Sequence, residues 1–288
     1  MEKYLDDRVK IKEEIKNLSV TELQKGIDLL EKEKKHSVIH TDTVFKTDTV
    51  HLECSSCFTF LPSVPSKSAD LVLIDPPYEV SRDTNFASSP PKGKDTDRFR
   101  LSMDFGSWDA SFTGLDTVIK ECYRILKPHG TLICFYDLWK LTTLKDYFEK
   151  ANFKQLRFIE WLKTNPVPLN SKTNYLTNSR EIAILGVKQN KPTFNSSYDN
   201  GLYQEEGELY RFPICHDKNR FHPTQKPLDL IEALIAKHSN KGDTVLDCFS
   251  GSGTTALACF NTSRSFIGCE IDPSFFRKST DRLLSFLP

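Results

Sequence analysis

The stretch Thr244-Val245-Leu246-Asp247-Cys248-Phe249-Ser250-Gly251-Ser252-Gly253-Thr254-Thr255 decides the fold. Its first residues are β-branched and apolar, which is typical of a short buried strand. Two glycines then allow a tight turn, and small residues open a helix whose free N–H groups attract negative charge. A strand, a glycine loop and a helix in this order predict a nucleoside-binding site on an α/β sheet.

A second acidic residue completes this pattern. The run Phe266-Ile267-Gly268-Cys269-Glu270 predicts a strand that ends at Glu270, where a carboxylate can accept hydrogen bonds from ribose hydroxyls. The spacing Gly251-x-Gly253-x-x-Ala256 also fits a dinucleotide fingerprint, so an oxidoreductase that binds NAD or FAD is a rival interpretation. Against it, dinucleotide-binding proteins usually carry this loop on their first strand, and here it lies near the C-terminus.

Short apolar runs alternate with helical stretches from about Val50 onward, which favours a Rossmann-like, doubly wound and mostly parallel sheet. The predicted strands are Val50–Glu53, Leu71–Ile74, Thr131–Phe135, Glu181–Val187, Thr244–Asp247 and Ser265–Glu270. The predicted helices are Leu115–Leu126, Lys140–Ala151, Leu228–His238, Gly253–Phe260 and Pro273–Phe286. We expect Lys127-Pro128-His129-Gly130 to end one helix and turn into the next strand.

A second motif, Asp75-Pro76-Pro77-Tyr78, follows the apolar run Leu71–Ile74 directly. An aromatic amino group is a poor nucleophile because its lone pair is delocalised into the ring. The Asp75 carboxylate and the Pro76 carbonyl can accept both of its N–H hydrogens, which draws the nitrogen toward a tetrahedral shape. Pro76 and Pro77 fix the backbone, and Tyr78 offers a ring on which a base can stack. The motif therefore predicts a site that grips an exocyclic amino group.

The two motifs, in this order, resemble the permuted beta group of amino-methylating DNA methyltransferases. The resemblance covers roughly residues 50–285 and takes in Ser68–Tyr78, Glu121–Leu132, Asn178–Leu185, His222–Pro227, Asp247–Gly253 and Glu270. It implies a class I methyltransferase fold with permuted motif order, S-adenosylmethionine as cofactor and DNA as substrate. The Asp form of the catalytic motif favours adenine N6, with cytosine N4 as the alternative. A non-catalytic DNA-binding or specificity subunit is a more distant alternative.

The resemblance also assigns roles to individual residues. The catalytic set is Asp75, Pro76, Pro77 and Tyr78. The cofactor set is Asp75, His222, Thr224, Lys226, Asp247, Phe249, Ser250, Gly251, Gly253, Thr254 and Glu270. In one departure, Ser55-Ser56 stand where the family usually has Gly-Asp. This predicts a weakened cofactor contact there unless Glu53 replaces it.

Two long polar stretches, residues 79–107 and 189–221, are candidates for holding DNA. A base inside double-stranded DNA cannot reach Asp75, so the target base would have to flip out. We interpret the first stretch as a variable loop beside the catalytic site and the second as a target-recognition insert. The basic residues in or beside them are the DNA-binding candidates: Lys92, Lys94, Arg98, Arg100, Lys172, Arg180, Lys218 and Arg220.

The composition is that of an ordinary globular protein, with 288 residues, 38% hydrophobic and 27% charged. The net charge is zero, so any basic face for DNA must be local. Eight scattered cysteines suit a reducing cytosol, and we expect a cytoplasmic protein without a membrane segment. Only one C-x-x-C pair, Cys54 and Cys57, is present, so no metal site is predicted.

Amphipathic patterns near the N-terminus divide the chain into a helical extension, residues 1–48, and a methyltransferase domain, residues 49–288. The extension and the family resemblance together favour a homodimer. A restriction endonuclease that acts on the same DNA site is a further candidate partner.

Overall fold

A computed structural model describes residues 38–78, 112–166, 179–195, 210–215, 220–222 and 224–286. The chain divides into two units, Met1–Ile39 and His40–Pro288. The helices predicted near the N-terminus lie outside the described residues, as do Lys92, Lys94, Arg98, Arg100, Lys172 and Lys218. Within the described ranges, no helix combines the length and apolar character that a membrane crossing requires.

The described residues contribute ten strands to one sheet. In chain order they are β1 (Ile39–His40), β2 (Val44–Lys46), β3 (Val50–Cys54), β4 (Ala69–Ile74), β5 (Leu126–Tyr136), β6 (Lys154–Lys163), β7 (Arg180–Val187), β8 (Tyr210–Phe212), β9 (Thr244–Asp247) and β10 (Ser265–Glu270). Their order across the sheet is β1-β2-β3-β10-β9-β4-β5-β7-β6-β8. The centre, from β3 to β5, is parallel. The pairs β2–β3, β5–β7 and β6–β7 are antiparallel.

Helices cover both faces of the sheet. Those of the described residues are α1 (Cys57–Ser63), α2 (Leu115–Ile125), α3 (Leu141–Lys150), α4 (Leu228–His238), α5 (Thr254–Asn261) and α6 (Pro273–Leu284). Alternate residues of β4 belong to two different hydrophobic clusters, Leu71 and Leu73 to one and Val72 and Ile74 to the other. The first cluster includes α4, α5 and α6, and the second includes α1, α2 and α3. This arrangement explains why β4 is apolar from Leu71 to Ile74.

The two motifs meet where β4 and β9 lie side by side. Leu71 pairs with Val245 and Val72 with Leu246, in parallel register. Strands β10 and β3 continue the sheet beyond β9, while β5 and β7 continue it beyond β4. In open α/β sheets, ligands bind at the carboxyl ends of the strands where the strand order reverses in this way.

The predicted fold class is confirmed, and the six predicted strands and five predicted helices are all present. The sheet begins earlier than the expected boundary at residue 49, because β1 and β2 fall within the segment assigned to the helical extension. Helix α1 and strands β6 and β8 were not predicted. Helix α1 carries Pro62 in its interior, which reads as a helix breaker in sequence.

The expected turn at Lys127-Pro128-His129-Gly130 is wrong in detail. Helix α2 ends at Ile125, and strand β5 already begins at Leu126. His129 has a φ of +72°, so the chain bends inside the strand rather than before it. A Cβ atom on Gly130 would lie 2.9 Å from the carbonyl oxygen of Asp70 on β4, so the close approach of the two backbones requires glycine.

Candidate active site

Asp75 is the first residue after β4, and its carboxylate is held by two partners. The Tyr78 hydroxyl donates a hydrogen bond of 2.8 Å to Asp75 Oδ1. The ammonium of Lys226 donates to Asp75 Oδ2. The Tyr78 ring meets the Tyr136 ring edge to face, with 5.7 Å between the centroids. The carboxylate is thus fixed in orientation, while its two oxygens keep lone pairs for a further donor.

Lys226 is buried between two carboxylates. Besides Asp75, its Nζ atom lies 3.1 Å from Glu181 Oε2 on β7 and 5.0 Å from the centre of the Phe135 ring. Burial lowers the pKa of Lys226, but the two carboxylates outweigh burial and hold that pKa above its ordinary value. Lys226 therefore stays charged and balances the charge of Asp75.

Burial and Lys226 act in opposite directions on the catalytic motif. Burial raises the pKa of Asp75 above its ordinary value, and the Lys226 ammonium opposes that rise. Burial also raises the pKa of Tyr78 well above its ordinary value, and the charge of Asp75 adds to the effect. Tyr78 is therefore a neutral phenol that can only donate its proton to Asp75, which keeps Oδ1 in place.

Two of these partners were missed in the sequence. Glu181 is the second residue of strand β7, and its Oε1 accepts from Lys163 Nζ of β6 at 2.8 Å. Glu181 lies within the stretch Asn178–Leu185 that carries the family resemblance, but no role was assigned to it. Lys163 lies in none of those stretches. Only the pairing of β6, β7 and β5 brings them behind Asp75. Lys226 was predicted to belong to the cofactor set, and its ammonium contacts the Asp75 carboxylate.

Asp247, the last residue of β9, forms hydrogen bonds within the glycine loop and to the helix that follows it. Its Oδ1 accepts from the backbone N–H of Phe249 at 2.9 Å, and its Oδ2 accepts from the Thr255 hydroxyl at 2.7 Å. Burial raises the pKa of Asp247 to about 7, against the effect of these two hydrogen bonds. Asp247 thus ties the start of the loop to helix α5.

Glu270 braces the loop from the neighbouring strand. Its Oε2 accepts from the backbone N–H of Gly251 at 2.7 Å, and its Oε1 accepts from that of Asp272 at 2.8 Å. Gly251 has a φ of +50° and Gly253 one of +70°, which disfavour other residues. Burial raises the pKa of Glu270. The loop therefore has one enforced shape at the carboxyl ends of β9 and β10.

His222 and Thr224 lie at this loop. A Cβ atom on Gly251 would lie 3.4 Å from His222 Nε2, so the imidazole faces the glycine backbone. The Thr224 hydroxyl lies 3.2 Å from His222 Nδ1, and the imidazole packs on Phe275 with 4.4 Å between ring centroids. Burial, with Lys226 and Arg220 adding to it, lowers the pKa of His222 to about 4. The ring is therefore neutral at pH 7.

The remaining loop residues present one polar atom with no hydrogen-bond partner. The Ser250 hydroxyl is buried and has no such partner within the described part of the chain. Phe249 lies beside it with its ring edge to face against Phe112, 5.4 Å between centroids. Thr254 accepts from the Arg282 guanidinium at 3.1 Å. An orphaned hydroxyl beside two glycines fits a loop that receives a polar ligand.

Ser56 lies at the start of helix α1. Its hydroxyl accepts from the backbone N–H of Thr59 at 3.2 Å and so caps helix α1. The Glu53 carboxylate lies 2.7 Å from His51 Nε2. At the end of β3, the structure therefore places a helix cap at Ser56 and a histidine–carboxylate pair at Glu53.

The DNA-binding candidates that can be located are Arg180 and Arg220. The Arg180 guanidinium donates to Glu160 at 2.6 Å and is exposed. The Arg220 Nε atom lies 3.4 Å from the carbonyl oxygen of His222. Both Cys54 and Cys57 are free thiols. Among the described residues, no group of three or more His, Cys, Asp or Glu side chains is arranged to hold a metal ion.

The chain is similar in sequence to known proteins. The chain matches the family model N6_N4_Mtase, described as DNA methylase, over residues 69–281. It is 32% identical over 248 residues to the type II methyltransferase M2.MboI of Moraxella bovis, which covers 81% of this chain and 87% of that protein. It is 30% identical over 265 residues to the type II methyltransferase M2.DpnII of Streptococcus pneumoniae, and this match covers 87% of this chain and 95% of that protein.

Solved structures share the fold. The crystal structure of the M1.HpyAVI–SAM complex superposes with a TM-score of 0.58 at 28% identity, over 81% of this chain and 99% of that chain. The cytosine-N4-specific PvuII DNA methyltransferase superposes with a TM-score of 0.63 over 84% of this chain and 88% of that chain. At 18% identity, the second likeness concerns the fold alone.

Proposed function

This chain belongs to the DNA methylase family, and we propose that it transfers the methyl group of S-adenosylmethionine to the N6 amino group of adenine in DNA. The observation that carries the proposal is the Asp75 carboxylate. It is held by Tyr78 and Lys226 at the end of β4, next to the glycine loop at the end of β9. Adenine rather than cytosine is proposed because the motif begins with Asp.

The residues of this chain would prepare the amine as follows. Asp75 and the Pro76 carbonyl accept the two N–H hydrogens, so the nitrogen lone pair leaves the ring and points away from both acceptors. Tyr78 stacks on the base. Bound S-adenosylmethionine supplies a methyl group on a positively charged sulfur. The amine nitrogen would take up this methyl group, with the carbon–sulfur bond pair left on sulfur, and its extra proton would then pass to water.

The glycine loop would hold the cofactor. The free N–H groups at the start of α5, the unpartnered Ser250 hydroxyl and the neutral His222 ring offer donors and acceptors around it. Glu270 keeps lone pairs beyond the two N–H groups that it accepts, which suits ribose hydroxyls. The solved M1.HpyAVI–SAM complex, at 28% identity, supports S-adenosylmethionine as the cofactor.

Product identification tests the reaction. The pure protein is incubated with methyl-free genomic DNA and isotopically labelled S-adenosylmethionine, and the digested nucleosides are separated by mass spectrometry. Label in N6-methyladenine is expected. Label in N4-methylcytosine would keep the mechanism and change the base, and DNA without label would refute the proposal.

Asp75→Ala tests the mechanism. We expect methyl transfer to fall by at least about 10²–10³-fold, because the main acceptor for the amine is lost. Binding of S-adenosylmethionine, measured by calorimetry, should survive in part. Asp116→Ala, which removes an exposed carboxylate on α2, is the matched control and should keep full activity. Full activity in Asp75→Ala would rule out the mechanism.

The DNA side of the proposal extends to partners. Relatives at 30% identity or more are type II methyltransferases, which supports a role in restriction and modification with a cognate endonuclease. We propose that the target base flips out of duplex DNA, because Asp75 lies in a half-buried site that a stacked base does not reach. Residues 79–107 and 189–221 are proposed to hold the duplex. The permuted beta group and a homodimer remain proposals.

A further inference from the structure

Four charged side chains form a row that runs from the Asp75 carboxylate at the end of β4 across the sheet to β6. Asp75 contacts Lys226, Lys226 lies 3.1 Å from Glu181, and Glu181 lies 2.8 Å from Lys163. Their side chains are only 21%, 8%, 23% and 14% exposed, respectively. Burying a charged side chain costs free energy unless an opposite charge lies beside it. Here the signs alternate along the row, so each charge has an opposite charge as its neighbour.

The four residues come from four separate elements. Asp75 follows β4, Lys226 precedes α4, Glu181 is the second residue of β7 and Lys163 ends β6. No single stretch of chain could assemble the row, and each member depends on the sheet being complete. A hydrophobic set of similar volume would pack these elements at lower cost, so packing alone gives no reason for the charges.

Glu181 determines where the Lys226 ammonium lies. A lysine ammonium is a point charge on a flexible stem, and a single carboxylate does not fix its position. With Asp75 on one side and Glu181 on the other, the ammonium has one location, above the Phe135 ring. Burial raises the pKa of Glu181, but Lys226 and Lys163 outweigh it and hold that pKa below its ordinary value. Glu181 therefore remains ionised.

We propose that Glu181 is a positioning residue for methyl transfer, which acts on Asp75 through Lys226, and that Lys163 holds Glu181 in place. This inference rests on the proposed function, because it requires Asp75 to accept the hydrogens of the amine. Glu181 and Lys163 lie behind Lys226. Their effect reaches the reaction only through the charge and the orientation of the Asp75 carboxylate.

The direction of the effect on pH dependence follows from the signs. Glu181 repels the charged form of Asp75 and so raises the pKa of Asp75. Glu181→Gln removes that charge, so the acidic limb of the pH–rate profile, where the rate falls as the pH is lowered, should move to lower pH. Lys163→Met removes the cation that balances Glu181, so the acidic limb should move to higher pH. A purely structural role predicts no such opposite shifts.

The test is the single-turnover rate of methylation of methyl-free genomic DNA at saturating S-adenosylmethionine, measured from about pH 5 to about pH 9. We expect both variants to lose about tenfold or more at the plateau, because a misplaced Asp75 grips the amine poorly. Glu181→Asp keeps the charge and should leave the acidic limb near that of the wild type. Glu149→Gln removes a half-exposed partner of Lys145 on α3 and should change neither quantity.

The outcomes separate this inference from the proposed function. If Asp75→Ala is inactive but Glu181→Gln has a normal plateau and a normal acidic limb, only the role of Glu181 is overturned. Shifts of the two variants in the same direction would also overturn it. If Asp75→Ala is active, the proposed function itself fails. Should Glu181→Gln fail to fold, Lys163→Met decides alone, and an unmoved acidic limb refutes the inference.

Discussion

Asp247→Asn should make the contribution of residue 247 to the free energy of unfolding independent of pH. In the wild type the buried carboxylate accepts from the Phe249 backbone N–H and from the Thr255 hydroxyl. Asparagine has the same shape, and its amide oxygen can still accept from Phe249. Its NH2 group can donate to the Thr255 oxygen. The variant thus keeps the contacts and removes the buried charge.

The magnitude follows from the pKa of Asp247. Burial raises that pKa from 3.8 to about 7. A raised carboxyl pKa means that the folded protein favours the protonated form. The stability from this group is therefore complete below about pH 4 and is lost as the pH rises to about 7. At about 1.4 kcal/mol for each pH unit, the wild type loses about 4 kcal/mol over this window.

The assay is urea unfolding of both proteins at several pH values. The free energy of unfolding of Asp247→Asn minus that of the wild type should grow by about 3 kcal/mol between pH 5 and pH 7, and then level off. Two histidines, His222 and His238, have a pKa lowered to about 4 by burial, and they oppose the trend in each protein. They cancel in the difference. A difference that does not change with pH would refute the reasoning.

Two further variants test the glycine loop and the end of β3. Gly253→Ala should lower the free energy of unfolding by more than Gly242→Ala. Both glycines have positive φ, and an alanine in that conformation costs about 1–2 kcal/mol at either position. Only at Gly253 would the new Cβ also contact another atom, Ser279 Cβ at 3.0 Å. Equal losses in urea unfolding would contradict this. Ser56→Ala should cost about 1 kcal/mol by removing the cap on Thr59, with the affinity for S-adenosylmethionine unchanged in calorimetry; weaker cofactor binding would assign Ser56 to the cofactor site instead.

The centre of the fold could be predicted from sequence because its strands carry strong local patterns. β4 and β9 are short apolar runs that end in Asp75 and Asp247, and the glycines that follow β9 leave little choice of backbone shape. Strands β6 and β8 lie toward an edge of the sheet, and only Ile159 and Trp161 are buried among the ten residues of β6. Two buried positions give too short an apolar alternation to predict this strand in the same way.

The site was predicted as two motifs, but the row of charges that extends from Asp75 to β6 was not. Lys226 had a family role on the cofactor side, and Glu181 and Lys163 had none. A lysine and a glutamate are ordinary surface residues in a sequence, and their burial becomes visible only after the sheet is assembled. Ser56 illustrates the reverse. Its position in the family pattern suggested a ligand role, yet its local spacing to Thr59 makes it a helix cap.

The contact between β4 and β9 also fixes when the protein can become active during its synthesis. The backbone N–H of Thr244 on β9 donates to Asp70 on β4 across 174 residues of chain. At about 5–20 residues per second, a ribosome needs on the order of ten seconds or more to make that interval. During that time one edge of β4 stays open, and an apolar edge strand is a site of mispairing. A newly made chain therefore gains the glycine loop and the strand that closes the open edge of β4 in the same late step, so an incomplete chain has neither.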